Sequence, residues 1–161
     1  MESAKIADQS QPTGQPESHT KLAPALEEMG TTLVSPRGTV LFQQGQQPTH
    51  VLVLRKGKVR LSHACEDGQH WDRTVGPGHI LGLLATVADQ PYRKTAETLE
   101  DCEFASVDRM QLMALLRRRN DFWLEAVRVV SEELRLIRRH VAKSNGKQID
   151  TRARAAVARS A

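Results

Sequence analysis

Between Thr31 and Val107 the sequence is cut into runs too short and too strictly alternating to make helices. "TTLVS", "TVLFQQ", "HVLVLRKG", "KVRLSHA", "HWDRTV", "YRKTAETL" and "CEFASV" are β-branched or alternate apolar with polar residues. Turn residues separate them: Pro36-Arg37-Gly38, Gly45, Lys56-Gly57, Glu66-Asp67-Gly68 and Gly76-Pro77-Gly78. Short strands with such regular turn signals fold as an antiparallel sandwich or barrel. In "KVRLSHA", Val59, Leu61 and His63 share one face while Lys58, Arg60 and Ser62 share the other. That is the pattern of a half-buried strand.

After residue 107 the period becomes helical. Asp108 with Gln111 three residues on forms a capping box for a helix over "RMQLMALLRRR". Asn120 is then expected to cap a helix over about 121–143. In it Trp123, Val127, Val130, Leu134, Ile137 and Val141 recur at spacings of 4, 3, 4, 3 and 4, an a/d seam held for almost three heptads. Arg and Glu fill the other faces, and the β-part is complete before the helix begins. The seam therefore predicts pairing with a second copy; the alternative is a helix packed on its own domain. "LAPALEEMG" predicts a short helix closed by Gly30.

The two ends read differently. Residues 1–20 are rich in Gln, Ser, Pro and Thr and are expected to be disordered. Beyond the domain, placed at 21–143, the tail 144–161 is expected to break at Asn145-Gly146. It then continues as a fraying Ala/Arg-rich segment of good helix propensity with little to bury.

Composition excludes more than it assigns. At 161 residues there is room for one domain and an appendage. No run is long enough to span a bilayer, and the N-terminus lacks the apolar stretch of a signal peptide, so a cytoplasmic location without membrane contact is expected. Cys65 and Cys102 are too few for a disulfide framework and read as small buried hydrophobes. The histidines at 19, 50, 63, 70, 79 and 140 show no metal-ligand spacing, so no metal is expected. No nucleophile–base pair or paired carboxylates stand out, and no enzyme is expected. The net charge of +4 is uneven, for residues 117–161 carry twelve Lys/Arg against five Asp/Glu. That basic end reads as a solvated helix face, or as an attractor of nucleic acid or an acidic partner.

The order of "GTVLFQQGQ", "VLVLRKGKVRLS", "GPGHILGLLATVADQPYRKTAETLEDCEF" and the seam helix resembles the sensor half of the catabolite activator and fumarate–nitrate regulator family, within the cyclic nucleotide-binding superfamily. The resemblance covers about residues 30 to 143. It implies a mainly β fold with α, an antiparallel β-roll (a double-stranded jelly roll) followed by a long C-terminal dimerisation helix. It also implies a phosphate cassette. A short helix after a glycine aims N–H groups at a phosphate, an arginine neutralises it, and an acid takes the ribose hydroxyl.

Mapped here, the cassette glycine is Gly82, followed by Leu83 and Leu84 where nucleotide-binding members carry an acid. The family arginine comes ten or eleven residues after that glycine. Counting ten reaches Tyr92; one extra residue in the turn gives the role to Arg93, puts Lys94 at the small hydroxyl position and lets Thr95 follow. The implied function is a non-enzymatic sensor. It is a homodimer that responds to a small anionic ligand or a partner through a cassette that keeps its shape without its acid. No cofactor is expected; a cyclic nucleotide remains the alternative ligand. The alternative function is a transcription regulator of the family that stops before its helix-turn-helix. Without a recognition helix, nucleic-acid binding is expected to be weak and nonspecific.

Overall fold

The computed structural model describes residues 21–64, 68 and 70–158, with side chains as far as Arg139 and at Ala142. The expected disorder of 1–20 and the seam side chain of Val141 lie outside the described residues. Among these, the glycine-punctuated runs pair as β1 (Thr31–Ser35), β2 (Val40–Phe42), β3 (His50–Lys56), β4 (Val59–Ala64), β5 (His70–Val75), β6 (Ile80–Leu81), β7 (Thr95–Thr98) and β8 (Cys102–Asp108). One antiparallel sheet has the order β1-β8-β3-β6 and the other β2-β7-β4-β5. The chain thus crosses between sheets at nearly every turn, which is the winding of a jelly roll.

Strand β3 shows how two cores arise from one alternation. Leu52 and Leu54 point between the sheets, where they join Phe42, Leu61, Tyr92 and Phe104. Val51 and Val53 point the other way, into a second core with Ala105 and Val107 of β8. That outer face is roofed by α1 (Leu22–Met29), α3 (Arg109–Arg118) and the start of α4 (Asn120–Ala158) through Leu22, Leu26, Leu112, Leu116, Phe122 and Ala126. A strand covered on both faces reads as a continuous apolar run, and "VLVL" is one.

The helix ends follow the sequence with three differences, the last of them at the end of α4. Asp108 caps α3 by accepting from the Met110 N–H at 2.7 Å, and the Gln111 side chain accepts from the Asp108 N–H at 3.3 Å. Asp108→Ala is expected to lower unfolding free energy by about 1 kcal/mol, read as a shifted urea midpoint. Gly30 does close α1, its N–H bonding the Leu26 carbonyl at 2.9 Å, but its backbone is extended and not left-handed. Glycine is required there because a Cβ would come within 2.8 Å of the Ala105 Cβ. At the start of α4 it is the Arg119 carbonyl, not Asn120, that takes the cap position, accepting from Phe122 and Trp123. The Arg119 guanidinium forks onto Asp121 at 3.0 and 2.7 Å.

The expected break at Asn145-Gly146 is corrected: α4 continues to Ala158. One glycine costs a helix only about 1 kcal/mol relative to alanine, and the Ala/Arg-rich segment beyond it has the propensity to carry the helix on.

Apart from Val130, the seam residues are not the ones that dock α4 on its own domain. Phe122 and Ala126 are buried and Val129 is half-buried against the helix-side core. Each seam residue follows a domain-facing one (Trp123, Val127, Val130 and Leu134 after Phe122, Ala126, Val129 and Glu133) and so lies about 100° round the helix. Trp123, Val127 and Leu134 are 42%, 47% and 37% exposed. Val130 and Ile137 are half-buried, and Val130 touches the core edge. No helix among the described residues is long and apolar enough to cross a membrane.

Candidate ligand site

Strand β6 ends at Leu81 and the chain turns at Gly82, whose φ of 79° is left-handed, into the short helix α2 (Leu83–Ala88). Thr86 closes the turn from inside, its hydroxyl donating to the Gly82 carbonyl at 2.8 Å. At the far end Asp89, also left-handed, is paired with Arg109 at 3.2 Å, and the Arg109 Nε donates to the Thr86 carbonyl. These bonds fix α2 against α3. The pocket between α2, the Gln90–Lys94 connection and α4 has a volume of about 70 Å³, against the ~300–1,000 Å³ usual for small-molecule sites.

Of the residues that sequence reasoning proposed, Gly82, Leu84, Tyr92, Arg93 and Lys94 line this pocket; Leu83 and Thr95 do not. Leu83 is 1% exposed and packs in the core under the helices. Thr95 instead accepts from the Gln44 N–H at 3.0 Å, pinning the loop after β2. Tyr92 and Arg93, between which the counting could not choose, and Lys94 after them are placed very differently. Tyr92 is buried, its ring stacked on Phe42 at 4.0 Å between centroids, and its hydroxyl donates to the His50 carbonyl at 3.1 Å. Burial pushes the Tyr92 phenol above its ordinary pKa. Arg93 is exposed, and its carbonyl accepts from the His63 ring at 2.5 Å.

Lys94 turns inward. Its side chain is 9% exposed, and its ammonium lies 2.5 Å from Glu133 Oε1 of α4 and 5.3 Å from the centre of the Trp71 ring. His79 joins the same lining. Burial, reinforced by the charge of Arg73 and then of Lys94 and opposed by Glu133, holds its pKa down at about 4. At neutral pH the ring is therefore uncharged.

Sequence reasoning missed Glu133, His79 and Phe42. Glu133 reads as a solvated polar position of the helix, and nothing near it in sequence signals that its partner lies 39 residues upstream. No group of three or more His, Cys, Asp or Glu able to hold a metal occurs among the described residues. Cys102 is a free, buried thiol bonded to the Lys58 and Glu100 carbonyls.

The glycine turn, the short helix behind it and the roll that holds both can be set against known families. The model of the cyclic nucleotide-binding domain matches residues 33–119, more than half of the chain. The chain belongs to that family. The match takes in the Gly82 turn and α2 of this cyclic nucleotide-binding domain and ends before α4. Over 86 residues the domain is 31% identical to the cyclic AMP receptor protein of Thermus thermophilus, which covers 52% of this chain and 39% of that protein. The crystal structure of the Thermus thermophilus catabolite activator protein matches with a TM-score of 0.67 at 21% identity, over 83% of this chain and 62% of the other. The N-terminal domain of a Streptomyces coelicolor transcriptional regulator matches at 0.56 and 23% identity, over 74% and 83%. At such identities the two structures are alike in fold. The chain spans well under half the length of the curated relatives it matches.

Proposed function

We propose that this chain is a non-enzymatic regulatory module, a cytoplasmic homodimer that senses a small anion in place of a cyclic nucleotide and passes the event along α4. The ligand half of this reading is carried by Tyr92. Its ring stands so close over the cassette glycine that a Cβ on Gly82 would meet Tyr92 Cε1 at 2.9 Å. In the register reached by counting ten from Gly82, an aromatic ring occupies the place of the phosphate-binding arginine. The position that should carry the ribose acid, Leu83, faces the core. Each lost charge-assisted bond is worth ~1.5–3 kcal/mol, so the two together remove about two to four decades of affinity.

What the pocket retains is one buried cation, Lys94, beside an apolar wall. A buried ammonium needs an anionic partner; Glu133 of α4 fills that place at 2.5 Å, and an anionic ligand would bind by taking over from it.

The dimer half rests on the exposed stripe of Trp123, Val127 and Leu134, which the domain leaves uncovered while another face of α4 docks on it. An a/d stripe open along a long helix is the geometry of a two-stranded coiled coil.

Calorimetry tests the ligand half. Cyclic AMP and cyclic GMP are expected to show no saturable heat below about 1 mM, a ceiling of roughly 4 kcal/mol in binding free energy. Micromolar binding of either one, lost in Arg93→Ala, would overturn the reading and give Arg93 the phosphate.

A further inference from the structure

We propose that the ligand is a small carboxylate with a short apolar tail, and that Glu133 holds its place against Lys94 until the ligand displaces it. This rests on the reading of the pocket as an anion site. The observation is the ion pair itself: a carboxylate from α4 already sits 2.5 Å from the ammonium that the cassette turns inward. Glu133 is thus an internal model of the ligand's charged end. The rest of the ligand is defined by the wall, which is mostly apolar (Leu61, Leu81, Leu84, Ala85 and Ala88) with His79 and Gln90 as neutral polar members.

The two partners differ in which one can leave. The Lys94 side chain is 9% exposed and must keep a counter-charge, whereas that of Glu133 is 30% exposed and can turn to water. Exchange of one carboxylate for another therefore leaves Lys94 paired throughout. A phosphate dianion fits less well, because its second charge would find Arg93 only at the exposed rim.

Displacement also has a mechanical consequence. Glu133 lies on the domain face of α4, directly before Leu134 of the exposed stripe. Like Glu125, which accepts from the Leu22 N–H at 2.8 Å, it ties α4 to the rest of the domain. Releasing it loosens α4 where the stripe would meet its partner, so ligand binding and the dimer helix are coupled through one side chain.

The test uses the full chain, its Glu133→Gln and Lys94→Met variants, calorimetric titration with butyrate, acetate and inorganic phosphate, and amide exchange of α4 around residues 129–137. Butyrate is expected to bind the wild type weakly and acetate more weakly still. Glu133→Gln, which removes the internal competitor, should tighten butyrate at least tenfold, and Lys94→Met should abolish binding. Exchange in α4 should quicken when the wild type is saturated with butyrate, and already without it in Glu133→Gln. Equal butyrate affinity in wild type and Glu133→Gln, lost in Lys94→Met, would leave the anion site standing and overturn the displacement. Phosphate binding in preference to butyrate would overturn the carboxylate assignment alone. Binding of no anion to either protein would overturn the anion-sensing reading, and this inference with it.

Discussion

Replacing Val127 and Leu134 together by lysine is expected to yield a folded monomer. Both side chains are partly exposed on the single chain, at 47% and 37%, so lysine there can reach water and leaves the domain intact. In a two-fold coiled coil each new ammonium would face its own copy across the axis, where no counter-charge is available. An unpaired charge buried in an interface costs several kcal/mol. With two sites per chain, the dissociation constant should rise by at least three decades, about 4 kcal/mol. Sedimentation velocity across a concentration series reads this directly, and far-ultraviolet circular dichroism shows that the fold survives. Ala126→Lys is the contrast, one position away and 1% exposed in the helix-side core; it should unfold the domain instead of splitting a dimer. A double variant that still sediments as a dimer would mean that the open stripe is not where two copies meet.

The same stripe shows what a sequence can and cannot display. Its spacing was legible because Trp, Val, Leu and Ile mark every seam position. The neighbouring stripe that docks α4 was not, because two of its members are Glu125 and Glu133 and a third is Ala126. Glutamates look solvated, yet these two take the Leu22 N–H and the Lys94 ammonium. The roll was legible for a local reason: glycines and prolines cut the strands, and alternation within each strand is set by neighbours two residues apart. The cassette was legible as a shape, through Gly82 and the apolar turn after it. Its chemistry was not, since the choice between Tyr92 and Arg93 depends on one residue of slack in the turn. The contacts that place these side chains are tertiary: Phe42 and the His50 carbonyl hold Tyr92, and Glu133 holds Lys94. The continuation of α4 through Gly146 was hidden because a single glycine weighs more in a local reading than in a helix already nucleated.

Acid should destabilise this domain in a window that His79 defines. The ring lies in the cassette pocket, where burial, then Arg73 of β5 and Lys94 beside it, outweigh Glu133 of α4 and hold its pKa at about 4, against 6.5 for an ordinary histidine. Well above pH 6.5 neither the folded nor the unfolded chain carries the proton, and the titration of His79 has no effect on stability. Between 6.5 and 4 the unfolded chain takes up a proton that the folded one refuses. Stability therefore falls as pH falls, by up to about 1.4 kcal/mol per pH unit and by roughly 3–4 kcal/mol at most. Below pH 4 both states are protonated at this site and the loss stops. The Asp121 carboxyl acts in a separate window. Its hydrogen bond from Arg119 depresses its pKa, so its contribution is present above 3.8 and lost only as pH falls through the lower folded value. His79→Gln keeps a neutral polar side chain at the position and removes the titration. Urea midpoints at fixed protein concentration, measured from pH 7.5 down to 4.5, should converge for the wild type and the variant as pH drops. The wild type's margin at neutral pH should shrink or reverse by pH 4.5. Parallel profiles for the two proteins would show that His79 takes up its proton in the folded state as freely as in the unfolded one, and that the pocket around it is wetter than its packing implies.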